Sequence, residues 1–313
     1  MNDTNKKIAV VGTGVIGASW AACFLSKGYD VAATDPAAGA EERLRKLVQT
    51  WWPTLERMGM TDDASPERLS FHASPEAAVQ DAVFIQESGP ERLDIKRATL
   101  AQISAAAPAD TLIATSSSGI PASQIQDAAQ HPERVLIGHP FNPPHLIPLV
   151  EVVGGRLTSA QAIEKAMRFY ESLGKKAIHI RREVKGHVAN RLQAALWREA
   201  FHLVQEGVAS VSDIDAAIAH GPGLRWALLG PFLNVHLSGG EGGIEHFLEH
   251  LGPPVEDWWA DLGEVKLNPE LNQLLIAGVD QELGTANLAD IVAQRDELLL
   301  TLLKLKAQSD LLP

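Results

Sequence analysis

Short apolar runs recur through the first half of the chain, at Ile8–Val11, Val31–Thr34, Val83–Gln86, Leu112–Thr115 and Val135–Ile137, with helical stretches between several of them. Runs this short and this rich in β-branched residues fit buried strands. Strands alternating with helices predict a mostly parallel sheet covered by helices on both faces. Glu41 to Met58 is spaced as a long helix, interrupted near Pro53. Gln161 to Leu173 is another, ended by Gly174 before a last strand at Ala177–Ile180. After about Arg182 the strand signals stop. Glu183–Glu206 carries Val188, Leu192, Ala195, Leu196, Ala200 and Leu203 at helical spacing. Further helices run to Leu288–Lys306, punctuated at Gly221-Pro222-Gly223 and Gly252-Pro253-Pro254. The expected fold is α/β over residues 1–183, followed by an all-helical domain over 184–313.

The turn after the first strand narrows the α/β half. Gly12-Thr13-Gly14-Val15-Ile16-Gly17 leads from that strand into a helix. The three glycines serve a tight turn, a close approach of backbone to a pyrophosphate, and close packing of helix on strand. The backbone N–H groups of the helix start, at Val15 and Ile16, can bind the phosphates. An acid, Asp35, closes the second strand, where it can accept hydrogen bonds from ribose hydroxyls and would repel a 2′-phosphate. The first domain is therefore expected to be Rossmann-type and to bind NAD in preference to NADP.

Glu151 marks where chemistry is expected. It interrupts Leu146-Ile147-Pro148-Leu149-Val150-Glu151-Val152-Val153, otherwise a buried strand. An ionised carboxylate there is unfavourable unless it is paired or hydrogen-bonded. Upstream, the run Val135-Leu136-Ile137-Gly138 ends at His139, and the turn formers Pro140-Phe141-Asn142-Pro143-Pro144 lie between. Two strands joined by that loop would bring Glu151 to His139. A histidine oriented by a carboxylate moves protons near neutral pH, so an enzyme is expected.

Composition excludes several other classes. The net charge of −12 over 313 residues argues against nucleic acid and anionic membranes as partners. No apolar run approaches the roughly 18 residues of a membrane span. The lone cysteine, Cys23, has no partner for an internal disulfide, and the first residues carry no leader pattern. A cytoplasmic location is the expectation.

With the glycine turn, the segment from His139 to Glu151 and Asn190-Arg191-Leu192, the chain resembles the L-3-hydroxyacyl-CoA dehydrogenase family over nearly its whole length. The resemblance implies an NAD-dependent oxidoreductase with His139 as base and Glu151 as its partner. It implies that Ser118, in Ser116-Ser117-Ser118, binds the reacting oxygen; on residue type alone, any of these hydroxyls could instead cap the helix after Ile120. It places Asn190 at substrate and nicotinamide, and Glu91 and Lys96 near the nicotinamide ribose. It also implies a homodimer formed through the helical domain, whose apolar surface exceeds what so small a unit can bury. The substrate would lie between the domains.

The second domain departs from the acyl-CoA pattern at Gly223-Leu224-Arg225-Trp226. Such an arginine–aromatic pair is similar to the branch of the family that acts on free L-3-hydroxy acids, represented by L-carnitine and L-gulonate 3-dehydrogenases (the latter lambda-crystallin). Arg225 could grip a substrate carboxylate through two hydrogen bonds. Trp226 offers an aromatic face to a quaternary ammonium. The alternatives are a dehydrogenase of CoA thioesters with the same catalytic residues, and a non-catalytic NADH-binding structural protein.

Overall fold

The computed structural model describes residues 7–310. The leading segment 1–6, read above for a leader pattern, lies outside the described residues. Eight strands form one sheet: β1 (Lys7–Val11), β2 (Asp30–Thr34), β3 (Leu69–Phe71), β4 (Phe84–Glu87), β5 (Leu112–Thr115), β6 (Val135–Pro140), β7 (Leu149–Gly154) and β8 (Lys176–Ile180). Their order is β3-β2-β1-β4-β5-β6-β7-β8, parallel throughout except at β6–β7. The first seven helices are α1 (Val15–Ser26), α2 (Ala40–Met58), α3 (Pro75–Val79), α4 (Leu93–Ala106), α5 (Ala122–Ile125), α6 (Ala160–Ser172) and α7 (Ala189–Gln205).

The strand period divides the core. Ile8 and Val10 face one cluster, which holds Trp20 and Phe24 of α1, Leu44 of α2 and Tyr170 of α6. Ala9 and Val11 face the other, with Leu100 and Ile103 of α4. Adjacent residues of one strand thus enter opposite cores, as pleating requires. Both cores are apolar, which is why the central strands read as near-continuous hydrophobic runs.

Several boundaries differ from the sequence expectation. Pro53 does not interrupt α2, which is continuous from Ala40 to Met58. The missing N–H deprives only the carbonyl of Gln49, and both Gln49 and Pro53 are exposed to water. β3 was not anticipated: Leu69-Ser70-Phe71 is a short edge strand without an apolar run. β6 continues past Ile137 through His139, because β7 pairs alongside it. β7 begins at Leu149; Leu146 is buried in the preceding loop. The helix expected from Glu183 begins at Ala189, after left-handed backbone at Gly186 (φ +75°) and His187 (φ +51°).

The chain divides into two compact units, the first ending at Arg191 and the second beginning at Leu192. The second contains the rest of α7, then α8 (Val211–His220), α9 (Pro222–Trp226), α10 (Pro231–Ser238), α11 (Gly243–Asp261), α12 (Pro269–Leu283) and α13 (Leu288–Ala307). Ser210 and Asp213 close a capping box on α8. Among the described large apolar side chains of this unit only Leu271 and Leu300 are buried, while Phe232, Trp258 and Trp259 are exposed. No described helix is long and apolar enough to cross a membrane.

Candidate active site

The antiparallel pairing of β6 with β7 sets His139 directly opposite Glu151. His139 Nδ1 lies 2.9 Å from Glu151 Oε2. An ionised carboxylate only accepts, so Nδ1 carries the proton and Nε2 keeps its lone pair. Glu151 is 0% exposed and His139 6%. The other carboxylate oxygen, Oε1, accepts the N–H groups of Val188 and Ala189, each at 2.9 Å. Burial alone would raise the Glu151 carboxyl. The hydrogen bonds from His139, Ala189 and Val188 outweigh it and hold the group below the ordinary carboxylate range. One oxygen thus orients the histidine, and the other fixes the start of α7, where Asn190 follows.

The three serines after β5 have different partners. Ser116 accepts from Gln86 Nε2 at 2.8 Å and shares a hydrogen bond with Ser88. Ser117 is buried; its hydroxyl accepts the Ile120 N–H and lies 2.7 Å from Glu91 Oε1, to which it donates. Ser117 is therefore the turn-closing hydroxyl. The side chains of Ser118 and Asn190, both half-buried, make no hydrogen bond among the described residues. Both carry the donors needed to hold an oxygen.

Glu91 Oε1 also accepts the N–H groups of Gly119 (2.6 Å) and Ile120 (2.9 Å). Burial would raise its carboxyl, but these bonds and the charge of Lys96 hold it low. Glu91 thus shapes the serine turn. Lys96 is the other residue expected near the nicotinamide ribose. It is 1% exposed, and its ammonium is bound by Glu87 Oε2 at 2.9 Å, with the Gly89 carbonyl and Thr115 nearby. Glu87 in turn accepts the Gly89 N–H at 2.6 Å and the Thr115 hydroxyl at 2.5 Å. This enclosed pair supports the loop between β4 and α4 from beneath.

The glycine turn fits the dinucleotide. A Cβ on Gly17 would fall 1.8 Å from the Gly12 carbonyl oxygen, and one on Gly12 would fall 2.7 Å from Gly89 N. Gly12 has φ +89°, a conformation that favours glycine. A Cβ on Gly14 would meet nothing within 4 Å. The backbone is thus open on that side, at the start of a helix whose first amides have no side-chain cap. Asp35 Oδ2 accepts the Thr13 N–H at 2.7 Å and Oδ1 the Ala37 N–H at 2.9 Å, which fixes the acid at the end of β2.

Sequence reasoning missed the supports of the loop between β6 and β7. His145 Nδ1 and Ser19 Oγ of α1 are 2.8 Å apart, and the His145 N–H donates to the same hydroxyl. His145 stacks on Trp51 of α2. The buried ammonium of Lys175 donates to the carbonyls of Pro144 and Ile147. These contacts join parts of the chain distant in sequence, and no local pattern marks them.

In the second unit, Arg225 and Trp226 end α9. Both are exposed, and the Arg225 guanidinium has no hydrogen bond or ion pair among the described residues.

The family models that match are the 3-hydroxyacyl-CoA dehydrogenase NAD binding domain, over residues 7–184, and the 3-hydroxyacyl-CoA dehydrogenase C-terminal domain, over 186–268. The chain is 52% identical to the L-carnitine dehydrogenase of Streptomyces coelicolor, over 93% of this chain and 92% of the relative. It is 49% identical to that of Pseudomonas aeruginosa, over 95% and 93%. Among solved structures, it is similar to an NAD+-dependent 5-formyl-3-hydroxy-2-methylpyridine 4-carboxylic acid 5-dehydrogenase. That likeness has a TM-score of 0.84 at 25% identity, covering 98% of this chain and 100% of the other. A 3-hydroxybutyryl-CoA dehydrogenase from Escherichia coli gives 0.63 at 29% identity, over 75% of this chain and 49% of that one. With its glycine turn and buried histidine–glutamate pair, the chain belongs to the 3-hydroxyacyl-CoA dehydrogenase family and is an NAD-dependent oxidoreductase.

Proposed function

We propose that the protein oxidises the 3-hydroxyl of a small free L-3-hydroxy acid, with L-carnitine as the first candidate and gulonate-like acids next. The observation that carries this reading is the similarity to L-carnitine dehydrogenases over more than nine-tenths of both chains. Two features of the protein support it. The Arg225 guanidinium is exposed and has no acidic partner among the described residues, as a carboxylate-binding group requires. The cations of α2, which could otherwise meet CoA phosphates, are partly committed: Arg43 donates to the Ala38 carbonyl and Arg45 pairs with Glu41. The exposed face of Trp226 suits a trimethylammonium group.

In the oxidation direction, Ser118 and Asn190 hold the substrate oxygen, and His139 Nε2 takes its proton. Glu151 keeps the lone pair on Nε2 beforehand and stabilises the imidazolium afterwards. NAD, when bound by Gly12–Gly17 and Asp35, supplies the hydride acceptor. Glu91, and Lys96 through Glu87, hold the loops flanking that site. In the reverse direction His139 is the acid.

Initial rates with NAD on L-carnitine, gulonate, 3-hydroxybutyrate and 3-hydroxybutyryl-CoA test the reading, and a free acid is expected to lead. A dominant CoA ester would overturn it. Arg225→Met should raise KM for the free acid by about 10-fold or more, the scale of a lost charged hydrogen bond, and leave a CoA ester unaffected. Equal losses on both would make Arg225 structural. The exposed apolar side chains of the second unit support a homodimer, and the single buried Cys23 suits a reducing cytoplasm. Light scattering should give twice the chain mass; a monomer at micromolar concentration would refute the dimer.

A further inference from the structure

His187 is 3% exposed, in the turn before α7, with φ +51°. Its Nε2 lies 3.1 Å from the Ser117 carbonyl oxygen. A carbonyl only accepts, so Nε2 carries the proton. Nδ1 is then a bare lone pair, buried and without a protein partner among the described residues. The ring centroid is 4.9 Å from that of His139, with the planes tilted by 48°. A phenylalanine would fill this space without stranding a lone pair, so the feature that distinguishes the imidazole here is its N–H to Ser117.

The titratable groups around it are His139 on β6, Glu151 on β7 and Glu91 ahead of α4. Burial pushes the His187 pKa down and, together with His139, outweighs the Ser117 carbonyl and the two carboxylates. The ring therefore stays neutral. On the other side of the same turn, Glu91 takes the Ser117 hydroxyl and the Gly119 and Ile120 amides. Glu91 thus fixes the donors of the turn, and His187 fixes its carbonyl.

We infer that His187 is a positioning residue: its neutral ring is a rigid spacer that sets the distance between the Ser117–Ser118 turn and the His139 imidazole. This rests on the reading that Ser118 and His139 converge on one substrate oxygen. A misplacement of about 1 Å between such groups lowers turnover by about 10²-fold. The spacer links the two without touching the reacting atoms.

The test uses the full chain and whichever panel acid the wild type oxidises fastest. His187→Phe keeps the ring packing and deletes the donor; kcat should fall about 10- to 100-fold, with KM and NADH affinity within about two-fold of wild type. His187→Gln, whose amide can reach the same carbonyl, should recover most of kcat. His187→Asn, which tolerates the left-handed backbone but is too short, should match the phenylalanine variant and serves in its place if that fails to fold. In a Ser118→Ala background, His187→Phe should add little, because the link it serves is already lost. Wild-type kcat in His187→Phe would overturn the inference. So would equal losses in the phenylalanine and glutamine variants, or additivity with Ser118→Ala. If the wild type oxidises no acid of the panel, the functional reading fails first and the inference with it.

Discussion

His139→Ala should turn over about 10²- to 10⁴-fold more slowly than wild type, the usual contribution of a general base. The loss should fall on kcat. His139 lies on β6, whereas the dinucleotide turn joins β1 to α1, so NADH should bind as before. Stopped-flow turnover alongside an NADH fluorescence titration separates the two. The fold should tolerate the change: Glu151 would lose one of its three hydrogen-bond donors and keep the Val188 and Ala189 amides. Wild-type turnover would remove His139 from the mechanism, and loss of NADH binding would show that the site had collapsed.

Replacing Glu151 should have a larger combined effect, because its two oxygens serve different purposes. In Glu151→Gln, the amide oxygen is expected to face the two backbone donors of Val188 and Ala189, since turning it away would set donor against donor. Its NH2 group then faces His139 Nδ1 and forces the imidazole proton onto Nε2, where the base needs a lone pair. Turnover should fall by about 10²–10⁴-fold, the scale of losing the base, with only modest unfolding. Glu151→Ala leaves all three donors without an acceptor and should cost about 3–5 kcal/mol of stability, the range for breaking a buried pair. The Glu151 carboxyl is held below its ordinary range in the fold. Its stabilising contribution is therefore complete above roughly pH 4.3, the unfolded value, and is lost as pH falls through the lower folded value. Thermal melts of Glu151→Gln across that acid range should lack this part of the decline. A glutamine variant with wild-type turnover would refute the tautomer argument.

The sheet was legible where a strand is buried on both faces. β1, β2, β4 and β5 lie at or within a residue of their apolar runs. β3 was not, because an edge strand needs only one partner and its Ser70 breaks the pattern. The start of α7 was misread because apolar spacing continues back to Val188, whereas the helix begins only where Glu151 supplies acceptors for its first amides. His139 and Glu151 stood out because a carboxylate in a strand core demands a partner. Among the three serines, residue type did not separate the turn-closing Ser117 from Ser118; that depends on Glu91, distant in sequence. The burial of Lys96 left no mark in the sequence, because its partner, Glu87, meets it only when β4 and α4 pack together. His187 meets a carbonyl 70 positions away and left no trace in the sequence.

The antiparallel step between β6 and β7 ties chemistry to folding fidelity. Side chains alternate between faces, so a one-residue slip of β7 would turn Glu151 away from His139 and press Val150 or Val152 against the imidazole. The slipped sheet would keep its backbone ladder yet strand a charge and leave two amides unanswered. The proton-handling pair is therefore also a checksum on strand alignment, and the chain reaches its lowest free energy only in the pairing that can catalyse.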